Sequence, residues 1–279
     1  MLSVLKNTFK IVNYNLLLTI PLIIFTKIFE LYTANIGTEP TFRLVVASFT
    51  IMLMFAVFCS GWLYMVKGAV DLSKKIFVLD ADRAKASMEL FKWFFEGVGK
   101  FFLSFIGVYI IFFFIQLFLT VLTLICGSYL IGNLDPNSIQ ALQNLAVNGS
   151  NAAVAEFVNN MSPELLGFFW KWSLLFIFVT TFALYILMFW APEIINSCKN
   201  PLCSLYTSIK KIFKNFWGTL GFYVVLWMVG FVLLFLNTFS MINPFVYLFM
   251  NLLIYYFYVY IAVAIFLYYN KKFAVNDEE

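Results

Sequence analysis

The chain has 279 residues, of which 63% are hydrophobic and only 11% are charged. A mean hydropathy of +0.92 excludes a water-soluble domain, because such a domain could not keep 36 phenylalanines away from its surface. The net charge of +4 is small, and the absence of histidine removes the usual general base at neutral pH and the commonest metal ligand. Composition therefore predicts an integral membrane protein, and we expect no metal, no cofactor and no nucleic-acid partner.

The first predicted element is a helix over residues 1–12 that lies in the membrane interface. Its apolar residues share one helical face, and its lysines, serine and asparagine share the other. The segment after it is too long for a signal peptide and has no small-residue cleavage site. We predict a first span over about residues 16–36 with a bend at Pro21, a tight turn at 37–40, and a second span over about 42–66.

A charged segment opens the second predicted unit. Over residues 85–100, lysine and glutamate alternate at three- and four-residue intervals on one side of a helix, and apolar, mostly aromatic residues occupy the other. The third span is predicted over about 101–131 and the fourth over about 165–190. Between them lies a polar loop, residues 133–162, which is rich in Asn, Ala and Ser and contains no Lys or Arg.

The third unit carries the clearest amphipathic pattern. Over residues 205–217, leucine, isoleucine, phenylalanine and tryptophan share one face opposite lysine, serine and asparagine. The fifth span, about 218–240, follows directly. Asn243 and Pro244 then predict a turn into the sixth span, about 245–269.

The three surface helices share an order of residue types, which predicts a threefold repeat. This order surrounds Lys10, Lys92 and Lys210, and the second interval exceeds the first by about the length of the polar loop. We therefore predict an all-α, polytopic membrane protein with one domain over residues 1–279. Its six transmembrane helices form three hairpins, each preceded by a cytoplasmic amphipathic helix. The repeat units span about residues 1–70, 71–192 with the external loop at 133–162, and 193–270.

The distribution of basic residues predicts the orientation. All but three of the 18 lysines and arginines fall on the side that holds both termini, and the exceptions are Lys27, Arg43 and Lys171. By the positive-inside rule, both termini and the amphipathic helices are predicted to be cytoplasmic, in a plasma (inner) membrane. The polar loop is predicted to be outside.

Two groups of residues are candidate functional sites. Lys27 and Glu30 lie three apart on one face of the first span, and with Arg43 they form a candidate intramembrane polar site for transport or lipid handling. The alternative is a snorkelling pair near the outer interface. The second group consists of lysines on the amphipathic helices, which either contact anionic lipid headgroups or form a solvated face. These lysines are Lys10, Lys92, Lys210, Lys211 and Lys214.

The sequence offers no candidate catalytic, cofactor-binding or metal-binding residues. Asp71, Asp80 and Asp82 are interleaved with basic residues, which is typical of a charged surface. The four cysteines lack the spacing of a zinc site. We predict a non-enzymatic role in membrane organisation or as a partner of other membrane proteins of the envelope. A small transporter or transporter subunit and a lipid-modifying enzyme are the alternatives.

Two stretches carry a resemblance to known proteins. Residues 189–195 (FWAPEII) and 208–217 (SIKKIFKNFW) are similar to the pattern in six-span bacterial inner-membrane proteins of the YciC type. They also resemble the membrane region attached to some glycerophosphodiester phosphodiesterases. The resemblance implies a helical bundle and no particular activity. Because the chain has no counterpart of the soluble catalytic domain of the fused enzymes, it does not imply phosphodiesterase activity.

Overall fold

The computed structural model describes residues 1–34, 41–75, 80–133, 161–197, 199–240 and 243–273, with the backbone alone at 41–44 and 80. Within these ranges the chain is helical, with a short 3₁₀ turn at Leu16–Leu18 and no strand. The helices are α1 (Leu2–Tyr14), α2 (Thr19–Ala34), α3 (Thr41–Leu72), α4 (Asp80–Leu130), α5 (Pro163–Leu187), α6 (Trp190–Asn196), α7 (Pro201–Lys214), α8 (Phe216–Ser240) and α9 (Pro244–Lys272).

Six stretches of the described chain are long and apolar enough to cross a membrane. They correspond to the six predicted spans, so the all-helical, multi-pass class is confirmed. The predicted turn at residues 37–40 lies outside the described residues, and so does all of the loop 133–162 except its two ends. The six stretches are Leu16–Ala34, Val45–Leu72, Ala81–Leu130, Pro163–Asn196, Phe216–Ser240 and Pro244–Lys272.

The chain divides into two compact units. The first comprises Met1–Ile111 and Tyr185–Glu279, and the second comprises Phe112–Leu184. The core of the first unit is aromatic: the ring of Tyr268 stacks on Phe222 at 4.4 Å and on Phe189 at 5.8 Å. Within the second unit, α4 and α5 approach closely at Gly127, where any side chain would collide with Trp172.

Helix α1 packs along α9, and both belong to the first unit. The hydroxyl of Tyr260 donates to the Leu5 carbonyl at 3.1 Å, and the hydroxyl of Tyr256 donates to Asn13 at 2.8 Å. Two residues of the predicted lipid-facing stripe, Leu2 and Phe9, are exposed. The remaining apolar surface of α1 contacts protein. The position of α1 in the membrane interface stays a prediction. The buried residues of α1 are Val4, Thr8, Ile11 and Val12.

Pro21 lies in the first turn of α2 and not in the interior of a helix, so the expected cause of the predicted bend is absent and the bend stays a prediction. The first N–H groups of a helix have no intrahelical partner, and proline at this position therefore removes no hydrogen bond. A 3₁₀ turn, Leu16–Leu18, lies between α1 and α2. Trp62 of α3 stabilises this turn, because its indole Nε1 donates to the Leu18 carbonyl at 2.9 Å.

Two of the three predicted surface helices end in the same way, and the third does not end. Helix α1 ends before Asn15 (φ −127°, ψ 44°), and α7 ends before Asn215 with almost the same angles (φ −128°, ψ 41°). The segment around Lys92 has Gly97 at the corresponding position and continues without a break through α4, a helix of 51 residues. The predicted boundary before the third span is therefore absent. The threefold repeat stays a prediction.

Gly97 lets α4 approach α3 closely. A Cβ atom at this position would lie 2.6 Å from the Ser60 carbonyl oxygen and 2.6 Å from the Cβ of Tyr64. On the same side of α4, the Lys100 ammonium donates to the Tyr64 hydroxyl at 3.0 Å and to Glu96 at 3.2 Å. The glycine is thus required by packing and not by a turn.

Candidate functional site

The candidate polar site of the first span contains a formed ion pair. The Lys27 ammonium lies 2.7 Å from the Glu30 carboxylate on α2, and the two side chains are 61% and 53% exposed. The side chain of Arg43 lies outside the described residues. The pair therefore occupies an exposed face of α2, and its use in transport or lipid handling stays a prediction.

The five candidate lipid-contact lysines fall into two environments. Four are exposed, and their contact with lipid stays a prediction. Lys211 differs, because its side chain is 14% exposed and its ammonium is bonded within the protein. The exposed four are Lys10, Lys92, Lys210 and Lys214.

Lys211 belongs to a buried charged cluster that the sequence analysis missed. Its ammonium lies 3.0 Å from the carboxylate of Glu193, which is 1% exposed, and 2.8 Å from the hydroxyl of Tyr269. The Tyr269 hydroxyl in turn donates to Glu193 at 2.5 Å. These three residues come from α7, α6 and α9, so the cluster fastens three helices together.

The connection between α6 and α7 positions this cluster. Asn200 caps α7 by accepting from the backbone N–H of Leu202 at 3.0 Å, and Pro201 occupies the first helical turn, where proline is favoured. The indole Nε1 of Trp190 on α6 donates to the Pro201 carbonyl at 2.9 Å and to Ser204 at 3.0 Å. The two helices are thereby held side by side, with Lys211 above the carboxylate.

Hydrogen bonding keeps Lys211 charged in this partly buried position. Burial by itself lowers the pKa of a lysine, but the hydrogen bonds to Tyr269 and Glu193 outweigh it and raise the pKa of Lys211 above its ordinary value. The cluster is internally satisfied and brings no unpaired group to a cavity, which indicates a structural role. One signal could have revealed it, because Glu193 is the sole carboxylate between residues 165 and 276.

A basic cavity is the more promising site for a ligand. It has a volume of about 250 Å³ and lies between α1, the end of α3, the start of α4, and α9. Because a water molecule takes up about 30 Å³ of liquid, the space suits a phosphate-sized group with several waters. Its lining consists of Asn7, Lys10, Ile11, Tyr14, Asn15, Leu72, Ser73, Arg83, Ser87 and Leu267.

The lining of the basic cavity is cationic and polar. Lys10 and Arg83 contribute two positive charges, and the described residues that line the cavity include no carboxylate. The guanidinium carbon of Arg83 lies 3.9 Å from the ring centre of Tyr14, a cation–π contact that orients the side chain. Asp71, one residue before this lining begins on α3, is paired with Lys74 at 3.0 Å.

The floor of the basic cavity is built from the residue that ends α1. Asn15 is buried, its amide nitrogen donates to the Ile11 carbonyl at 2.9 Å, and its amide oxygen accepts from Ser87 of α4 at 2.9 Å. The predicted lipid contact Lys10 and the unpredicted Arg83 are brought together by this bond between α1 and α4. Such a site can bind an anion through charge and hydrogen bonds.

The described fold defines an all-helical, multi-pass protein consistent with an integral membrane protein. Among the described residues, no group of three or more His, Cys, Asp or Glu side chains could hold a metal ion. Comparisons with protein-family models, curated proteins and solved structures find no match to this chain.

Proposed function

We propose that this protein is a non-enzymatic component of the inner membrane that binds the phosphate of an anionic lipid headgroup in the basic cavity. Its role is membrane organisation, alone or with other envelope proteins. The observation that carries the proposal is the meeting of Lys10 and Arg83 in one cavity, whose described lining residues include no carboxylate. Both termini are cytoplasmic in this proposal, which places the cavity at the leaflet that attracts basic residues.

Charge supplies most of the proposed binding energy. Each lysine or arginine near an anionic membrane surface contributes about 1 kcal/mol. Removing both cations should therefore cost about 2 kcal/mol, which is roughly a thirtyfold loss of affinity.

Native mass spectrometry of the protein released from mixed nanodiscs tests the proposal. We expect the natural protein to retain phosphatidylglycerol in preference to phosphatidylcholine. The double variant with Lys10→Ala and Arg83→Ala should retain the two lipids equally. The matched control is Lys85→Ala with Lys272→Ala, which removes two exposed cations that do not line the cavity. Equal retention of both lipids by the natural sequence, or equal loss of preference in the control, contradicts the proposal.

The exposed lysines provide a second arm of the same experiment. If binding occurs on the surface helices and not in the cavity, Lys210→Ala with Lys214→Ala should abolish the lipid preference while the cavity variant keeps it. The lipid-binding site would then be the surface helices, as the sequence predicts, and not the cavity. Loss in the cavity variant alone favours the cavity.

Transport is a second candidate function, favoured by the ion pair between Lys27 and Glu30. A pair of opposite charges on a membrane-spanning helix is costly unless it has a use or reaches the interface. Solute or ion uptake into proteoliposomes that is lost when both residues are replaced by alanine would support this function. Uptake that survives the replacement would remove its motive.

The architecture that we propose for this function is three related hairpins, as in the YciC-type proteins that two stretches of the sequence resemble. In support, α1 and α7 both end at an asparagine with nearly the same backbone angles. Their buried residues also correspond: Thr8 and Val12 of α1 match Ser208 and Ile212 of α7 when the two asparagines are aligned.

A further inference from the structure

A second, apolar cavity lies between α2, α3 and α4. This groove has a volume of about 570 Å³. Its lining includes Ile24, Val57 and Phe95, all of which are exposed, and Thr50 is its one polar residue. All three helices are long and apolar enough to cross a membrane, so in this proposal the open side of the groove meets lipid.

The groove shares two helices, α3 and α4, with the basic cavity. Arg83 and Ser87 line the basic cavity, and Phe91 and Phe95 line the groove. Residues four apart share one face of a helix, so a single face of α4 passes from cationic to apolar within about one turn, roughly 6 Å. The opposite wall changes in the same direction, since the segment after Asn15 contributes Ile20, Pro21 and Ile24 to the groove.

We propose that the two cavities form one site for a long-chain phospholipid. Its phosphate lies between Lys10 and Arg83, and one acyl chain lies in the groove. Charge complementarity selects the anionic head, and the apolar groove that follows along the same face of α4 makes a lipid phosphate a better occupant than free phosphate. This inference rests on the proposed function and names the class of ligand.

The decisive experiment locates the acyl chain, because the affinity for the lipid does not show where the chain lies. A chain in the bilayer is already surrounded by hydrocarbon, so the groove gains little from hydrophobic burial and acts through packing. The probe is phosphatidylglycerol with a photoactivatable diazirine in its acyl chain, incorporated into nanodiscs with the full-length protein. We expect the adducts to concentrate on groove residues, which peptide mass spectrometry can locate.

Three variants make the mapping specific. Ile24→Trp and Val57→Trp place an indole ring in the space of the acyl chain, and they should reduce groove adducts roughly fivefold, which corresponds to about 1 kcal/mol of chain binding. Leu103→Trp is the control, since this α4 residue is 79% exposed and does not line the groove. Intact folding of each variant is checked by its thermal unfolding profile.

The headgroup arm separates this inference from the proposed function. Lys10→Ala with Arg83→Ala should remove the groove adducts, and unlabelled dioleoyl phosphatidylglycerol should compete while inorganic phosphate and glycerol phosphate do not. If those two cations determine headgroup preference but adducts are spread evenly over exposed apolar residues such as Leu103, the inference fails and the proposed function stands. If competition by free phosphate is complete, the site binds phosphate without the chain. If the cations have no effect on either readout, both fail.

Discussion

Replacing the partners of the buried ion pair, singly and together, measures how much the cluster stabilises the fold. Lys211→Met leaves the Glu193 carboxylate, which is 1% exposed, with Tyr269 as its remaining donor in the cluster. Removing one partner of a buried pair costs about 3–5 kcal/mol. Glu193→Gln should cost less, about 2–3 kcal/mol, because the Lys211 side chain is 14% exposed and its flexible stem can bring the ammonium to water.

The double variant should be more stable than the two single effects predict. With Glu193→Gln and Lys211→Met combined, no charge is buried, and the glutamine oxygen can still accept from Tyr269. We expect a total cost of about 1–2 kcal/mol, since replacing both members of a buried pair by groups of similar shape is often close to neutral. The coupling energy between the two positions is then about 3 kcal/mol or more, well above the error of additivity.

Thermal unfolding in a zwitterionic detergent, followed by tryptophan fluorescence, provides the measurement. A cost of about 3 kcal/mol should lower Tm by roughly 6–12 °C. The control is Lys210→Met, which removes an exposed charge next to Lys211 and should change stability by less than about 0.5 kcal/mol. Additive single effects, or a Lys211→Met variant as stable as the control, would show that the cluster does not hold α6, α7 and α9 together.

Three further predictions concern packing and protonation. Gly97→Ala should destabilise the protein by about 1–3 kcal/mol in thermal unfolding, because its Cβ would meet the backbone of α3, whereas Gly99→Ala, with no atom within 4 Å, should be neutral or stabilising. Trp62→Phe should cost about 1 kcal/mol by removing the indole hydrogen bond to Leu18, and unchanged stability would contradict that role. The stabilisation from the Lys211 charge is fully present below 10.5, its ordinary pKa, and is lost as the pH rises through the raised value. A series of Tm measurements should therefore fall above about pH 10.5, and fall less in Lys211→Met.

The buried cluster shows why part of the site could not be predicted. Glu193 and Lys211 both lie in stretches that the sequence analysis had singled out, but Lys211 was assigned to the surface because it shares a helical face with Lys210 and Lys214. Periodicity describes which residues share a face, and it contains no information about which face meets another helix. A solitary carboxylate in an apolar run was a usable signal, since an ionised group in that setting requires a partner.

The basic cavity also depends on contacts between segments that are distant in the sequence. Lys10 is a candidate for anion binding, but Arg83 is one of the basic residues interleaved with Asp71, Asp80 and Asp82, a pattern that predicts a charged surface. The two residues are also distant in the chain. The contacts between the end of α1 and α4, namely the bond between Asn15 and Ser87 and the contact of Arg83 with the Tyr14 ring, bring them together. The role of Gly97 was also unpredictable from the local sequence, because no Gly-x-x-x-Gly motif marks it. Its presence is explained by the close packing of α3 against α4, and the helix continues through it.

The sequence by itself determined the membrane class and the six spans, because hydropathy adds up residue by residue along a segment and needs no knowledge of neighbours. The tertiary structure alone decided which residue pairs with Lys211, that Arg83 lies in the same cavity as Lys10, and that α4 is continuous. These features depend on contacts between distant segments, and such contacts are set by the packing of whole helices and not by the composition of any one of them.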